Sequence, residues 1–189
     1  MREEVRAVEK IVLPEVIGTE RLVLRPFRLA DVDDVLAYAQ DSEWSRFLRI
    51  LPQPYEREHA EQFVARQLLL DRITHPAWAI TLDGTVIGGV NLMFHLEHCS
   101  AEMGYSVGRE HWSKGICTEA ARAVIDAAFR THRDLNRVYA RADSNNVASQ
   151  RVMEKVGMAK EGVLRSNRVE RGEAIDDAVF SILRREWEV

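Results

Sequence analysis

Between positions 112 and 118 the chain reads Trp-Ser-Lys-Gly-Ile-Cys-Thr, and a helical pattern follows at once. Ala121, Val124, Ile125, Ala128 and Phe129 recur at the spacing of one buried helical face. A helix start leaves backbone N–H groups without partners, and the helix dipole favours negative charge there. Gly115 lets the backbone approach a ligand closely or take positive φ, and Lys114 adds a mobile positive charge. These residue types suit a phosphate or diphosphate. They do not make a nucleotide P-loop, which needs its lysine after the last glycine, followed by Ser or Thr. From the residues alone, a tight turn capped by Thr118 explains the segment as well as an anion cradle does.

Other residues could move protons. In the strand-like AEMGYSV, alternation puts Ala101, Met103, Tyr105 and Val107 on one face and Glu102, Gly104 and Ser106 on the other. A carboxylate beside small residues on a central strand is a candidate base acting through water; the alternative is a glutamate paired with an arginine. Tyr105 reads as an aromatic core residue. Asn146 is a good cap for a helix over 147–156, which sets Ser149 in its first turn. His95, His98 and Cys99 (HLEHC) lack a second ligand cluster and read as a turn between strands rather than a zinc site. His111, close to the 112–118 turn, is a reserve base.

The elements that must carry these residues follow from patterning. Strands are expected over 21–27, 78–82, 85–94, 101–107, 137–142, 158–164 and 175–183, with Asp83-Gly84 as a hairpin turn. Helices are expected over 30–39, 56–73, the stretch after the turn, and 147–156, the last stopped by Gly157. Residues 44–55 read as short helix and loop, and 165–174 as a charged loop. Strands and helices interleave in one mixed α/β (α+β) domain over 19–189, preceded by an N-terminal arm, 1–18, with flexibility expected.

The bulk numbers exclude several classes. The 189 residues are 46% apolar and 30% charged, with net charge −4. The acidic balance speaks against a nucleic-acid partner. No apolar run approaches the ~20 residues of a membrane span. The start, MREEVRAVEK, lacks the apolar core of a signal peptide. Two cysteines without that signal suggest a reduced, cytoplasmic protein.

The stretch WSKGICTEA resembles the pyrophosphate-binding turn of the GCN5-related N-acetyltransferases (GNAT), in particular their RimJ/RimL branch. TERLVLRPF, AEMGYSV, NVASQRVMEKVGM and EGVLRSNRVERGEAIDDAVFSILRREW are similar to further segments of that branch, in order and at compatible spacing. The resemblance implies a single GNAT domain, with a mixed, mostly antiparallel sheet flanked by helices. It implies acetyl-CoA as co-substrate, no metal, and transfer to a primary amine. The acceptor expected first is the α-amine of a protein N-terminus, as in ribosomal proteins. The alternatives are a small-molecule amine or polyamine, or a non-catalytic acyl-CoA-binding module. A polyamine would call for an acidic cleft, which Glu43, Glu56 and Glu58 could supply.

By the same resemblance the diphosphate meets Ser113, Lys114, Gly115, Ile116, Cys117 and Thr118, flanked by Val107 and Trp112. Asn146 and Ser149 reach the pantetheine and sulfur, with Ser149 near the leaving thiolate, and Glu102 matches a position used for the base. Many relatives outside the branch carry a tyrosine where Met153 stands. Cys117 stands where the family prefers Gly or Ala and reads as a small apolar residue; the sharper expectation is a thiol open to alkylation only without cofactor. Arg165, Arg168 and Arg171 alternate with Glu170 and Glu173 in a solvated hairpin tip. If functional, that tip borders the acceptor together with Trp44, Phe47 and Tyr55. Apolar edges at 11–16 and in the late strands would suit a homodimer.

Overall fold

A computed structural model of the chain describes residues 12–48 and 50–187. Asp83 and Gly84 both take positive φ (50° and 86°), the backbone of a two-residue hairpin turn. They join β3 (Ala77–Leu82) to β4 (Thr85–His95) at the centre of an eight-stranded sheet. Around that hairpin lie β1 (Ile17–Gly18), β2 (Val23–Arg25), β5 (Ser100–Val107), β6 (Arg137–Asp143), β7 (Ala159–Glu170) and β8 (Glu173–Leu183). The strand order is β1-β2-β3-β4-β5-β6-β8-β7. Every neighbouring pair is antiparallel except β5 and β6. Among the described residues five α-helices accompany the sheet: α1 (Val32–Ala39), α2 (Arg57–Leu69), α3 (Ile116–Thr131), α4 (Val147–Val156) and α5 (Arg184–Trp187). The expected mixed, mostly antiparallel sheet flanked by helices is what forms.

Alternation decides which face of the sheet is covered. Trp78, Ile80, Val90, Leu92, Met103, Val138, Ala140 and Phe180 point to one side. There they meet the apolar stripe of α3 (Val124, Ile125, Ala128, Phe129) and Met153 and Val156 of α4. On the opposite side α1 and α2 cover only the β3–β4 end, with Val35, Tyr38, Ala60 and Val64 packed on Phe27, Ala79 and Val86. Past them, over β5 and β6, that face carries the polar side chains of Glu102, Tyr139 and Arg141.

Differences from the expected elements have local causes. Helix α2 ends at Leu69, because the Asp71 carboxylate takes the Ile73 amide and the Thr74 hydroxyl and forms a turn. The 165–174 stretch is not a loop: β7 and β8 run on to a tip at Arg171-Gly172, and Arg168 is fixed to Asp177 and Glu170. The N-terminal residues 1–11 of the expected arm lie outside the described residues. Within 12–18, Leu13 is buried, the Trp78 indole donates to Pro14 O at 3.2 Å, and β1 pairs with β2.

Candidate active site

The sheet splits where β5 and β6 part. Their parallel pairing holds at Ser100–Arg137, Ala101–Val138 and Glu102–Tyr139, then stops. β5 continues along β4 to Val107, opposite Gly88. β6 continues along β8 to Asp143, opposite Asp177. A wedge opens between 103–107 and 140–143, edged by backbone groups without a strand partner on that side. Backbone N–H and C=O in such a place call for a polar guest, and an extended arm carrying amides is one that fits. Because the two strands run parallel, both lead toward the mouth of the wedge, and each feeds a helix start.

Helix α3 starts open. Gly115 holds its N-cap position at φ 78°, ψ 2°, and no side chain caps the helix. The reading of a turn capped by Thr118 is therefore corrected: a left-handed glycine stands at the cap, and the first amides stay available. A Cβ at Gly115 would meet only Arg21 Nη2, at 3.6 Å, so the approach is clear. Trp112 Nε1 donates to Val107 O at 2.9 Å and folds the turn onto the end of β5. Trp112, Ser113 and Lys114 are exposed, whereas the side chains of Val107 and Ile116 are buried, leaving only their main chains for a ligand. Cys117 packs against the core, and burial pushes its thiol up to about 12. That placement fits the small-apolar reading.

A clamp holds this turn that sequence reasoning missed. Glu119, in the first turn of α3, accepts from Thr19 Oγ1 at 2.6 Å and from the Arg21 amide at 3.0 Å. Arg21 Nε donates to its second oxygen at 2.7 Å, while Arg21 Nη1 donates to Lys114 O at 3.0 Å. Burial opposes ionisation of Glu119, but these bonds outweigh it and hold the carboxyl below its ordinary value. The two ends lie 98 positions apart for the Arg21 amide contact, and no spacing rule links them. The available signal was their presence in two of the resembling motifs, TERLVLRPF and WSKGICTEA.

Helix α4 starts closed. Asn146 Oδ1 accepts the Ser149 amide at 3.1 Å, which sets the Ser149 hydroxyl beside the wedge. Tyr105 crosses from β5, its hydroxyl 3.0 Å from both Ser149 O and Ser149 Oγ. Met153 is fully buried, so α4 presents no proton donor one turn further on.

Glu102 lies at the last position of β5 that pairs with β6, on the polar face. Arg141 Nε and Nη2 each donate to its carboxylate at 2.9 Å, and Tyr139 OH donates at 3.2 Å. The arginine-paired alternative is thus present, and its bearing on a base role is taken up below. Tyr139 OH also lies 3.3 Å from His95 Nε2. Burial, then the neighbouring Glu102 charge, raises the Tyr139 phenol above its ordinary value. His95 closes β4 and faces Tyr139, while His98 and Cys99 are exposed.

The β7–β8 hairpin leans on the segment after α1, where Arg171 Nη2 donates to Leu51 O at 2.9 Å. Arg165, Arg171 and Glu173 are exposed, as expected of a solvated hairpin tip, whereas Arg168 is only partly exposed and bonds both Asp177 and Glu170. Tyr55 is buried in the smaller core. Glu58 is exposed on α2 and bonds Gln62, and Glu43 lies near Arg46 at 3.9 Å; neither joins Glu102 in an acidic cleft.

A sheet split between two parallel strands, each feeding a helix start, one of them glycine-led and uncapped, suits a ligand with a phosphate group and an extended amide arm. The family model of the acetyltransferase (GNAT) domain matches residues 21–159. Similarity extends to p20, an uncharacterized N-acetyltransferase of Bacillus licheniformis, 33% identical over 177 residues, 92% of this chain and 98% of p20. YdaF of Bacillus subtilis, provisionally named a ribosomal N-acetyltransferase, is 37% identical over 108 residues, 56% of this chain and 58% of YdaF. The crystal structure of a GNAT-family acetyltransferase from Bacillus anthracis superposes with a TM-score of 0.80 at 25% identity, covering 90% of this chain and 99% of that one. The chain belongs to the GNAT acetyltransferase family. It is an N-acetyltransferase, with acetyl-CoA as co-substrate and an amine as acceptor.

Proposed function

We propose that this enzyme acetylates the α-amino group of a protein or peptide N-terminus. The observation that carries the reading is the pairing of Glu102 with Arg141 and Tyr139. Protonating Glu102 breaks that ion pair, so the site suits an acceptor that needs little help to lose a proton. An α-amine, with an ordinary pKa of about 7.7–8.0, is partly neutral at physiological pH; a lysine-like or polyamine nitrogen, at about 10.4, is not. Two carboxylates of the hairpin, Asp177 and Glu170, are likewise paired, with Arg168, and so are less available to a polycation. The provisional ribosomal name of YdaF agrees with this choice.

The chemistry divides among the residues already described. The first amides of α3, from Ile116 to Thr118, with Lys114 and the turn held by Trp112, take the diphosphate. The wedge takes the pantetheine. Glu102, held by Arg141 and Tyr139, orients the incoming amine, whose proton leaves through water past His95 and Tyr139. Ser149 faces the leaving sulfur.

Two measurements test the reading. Acetyl-CoA at a hundred times its Kd should stabilise the fold by ~2.7 kcal/mol, raising the unfolding midpoint by roughly 5–10 °C. Pantetheine, which lacks the diphosphate, should do less. Turnover is then compared between a peptide with a free N-terminus and no lysine and the polyamine spermidine. The peptide rate should climb through about pH 7–9, following the acceptor's own amine. Faster acetylation of spermidine at neutral pH would overturn the N-terminal acceptor.

A further inference from the structure

When the C–S bond of the thioester breaks, its electron pair stays on sulfur, and that charge needs a donor. Helix α4 offers Ser149, but a serine hydroxyl is a free rotor whose proton can point several ways. Tyr105 limits that freedom. Strand β5 turns its side chain inward with those of Met103 and Val107, and its hydroxyl stops 3.0 Å from Ser149 Oγ and 3.0 Å from Ser149 O. A phenol that gives its proton to the carbonyl receives one from Oγ. Rotated onto Oγ, it occupies a serine lone pair and leaves the serine proton for an atom on the far side.

We propose that Tyr105 is a positioning residue for acetyl transfer, whose hydroxyl donates to Ser149 Oγ and so directs the serine proton at the leaving sulfur. The proposal rests on the reading that Ser149 faces that sulfur. The proton balance is simple. The amine nitrogen bonds to the carbonyl carbon and loses its proton on the Glu102 side. The thiolate leaves hydrogen-bonded to Ser149, and Tyr105 keeps its own proton throughout. Burial raises the phenol above its ordinary value, despite the opposing Ser149 bond, so it remains a donor across the working pH range. The alternative acceptor, Ser149 O, gives the phenol a resting partner when no sulfur is present.

The test uses the full chain with coenzyme A itself as probe, so it needs no acceptor. The thiol of bound coenzyme A is titrated by the ultraviolet absorbance of its thiolate in wild type, Tyr105→Phe, Ser149→Ala and the double variant. A donor aimed at sulfur lowers the thiol pKa, so Tyr105→Phe should raise it by about half a unit to one unit, and Ser149→Ala by more. The double variant should match Ser149→Ala, because Tyr105 acts only through the serine. Coenzyme A affinity should stay within about threefold in each. Tyr105→Phe titrating like wild type, or its effect adding to that of Ser149→Ala, would overturn the positioning role. Ser149→Ala titrating like wild type would instead show that the serine is not at the sulfur, and would overturn the underlying reading as well. Tyr105→Phe keeps the buried ring, and an unchanged melting temperature separates lost positioning from lost packing.

Discussion

Helices α3 and α4 begin at the mouth of one cleft and begin differently. α3 starts on Gly115 in left-handed backbone, with no side chain across its first amides. α4 starts on Asn146, whose side chain takes the amide of Ser149. Glycine in place of a capping side chain costs roughly a few tenths of a kcal/mol of helix stability. α3 carries that cost where the ligand brings negative charge, and α4 caps itself where the ligand brings a neutral thioester arm. The bonds of Glu119 to Thr19 and Arg21 tie the α3 start down from outside the helix and offset part of the loss. The contrast separates two ways of meeting a ligand: with free backbone donors, or with a side-chain hydroxyl on a secured helix.

The largest expected effect comes from closing the open start. Gly115→Val places a β-branched residue at φ 78°, where left-handed backbone costs about 1–2 kcal/mol, and it also blocks the amides. Acetyl-CoA affinity should fall about a hundredfold by calorimetry, with a loss of stability. Gly115→Asn sharpens the point. Asparagine tolerates left-handed backbone and can turn its side chain onto the amides, so the fold should hold while affinity falls about tenfold. Equal affinity in Gly115→Asn would mean that the α3 amides are not the diphosphate donors.

The reverse change at α4 should act on stability instead. Asn146→Ala should lower the unfolding midpoint by about 2–4 °C, the effect of ~1 kcal/mol in a domain this size, with acetyl-CoA affinity falling less than in Gly115→Asn. A large loss of affinity there would erase the distinction between the two starts.

The clamp gives a smaller, pH-dependent effect. The Glu119 carboxyl sits below its ordinary value in the folded chain, so its contribution is present above the unfolded carboxylate pKa and is lost as pH falls through the lower folded one. Arg21 is substantially exposed, which limits the ion pair to about 1 kcal/mol or less. The stability difference between wild type and Glu119→Gln, measured by denaturant unfolding, should be present at neutral pH and shrink on acidification. The smallest effect concerns Cys117. A thiol pushed up to about 12 by burial reacts slowly, so a thiol reagent at neutral pH should label exposed Cys99 and spare Cys117, with or without acetyl-CoA.

Much of this was legible along the chain, because periodicity and turn chemistry are local. The α3 stripe, the Asp83-Gly84 hairpin, the Asn146 cap and the Gly157 stop each depend on residues within a few positions of one another. The length of the β7–β8 hairpin was not legible: charge suggested a loop, and only the pairing of Arg168 with Asp177 and Glu170 shows why the strands continue. Tyr105 was read as core from its alternation with Met103 and Val107. It does lie on the core side, but its hydroxyl has a partner on a helix 44 positions away.

The sequence by itself determined which residues could bind an anion or carry a proton, since residue type and local spacing set that chemistry. Tertiary structure alone decided which of them meet. Pairing between β5 and β6 stops at Glu102, Glu102 is bound by Arg141, Thr19 and Arg21 reach Glu119, and Tyr105 reaches Ser149. Each is a contact between segments far apart in the chain, fixed by sheet order and helix packing, which no local pattern encodes.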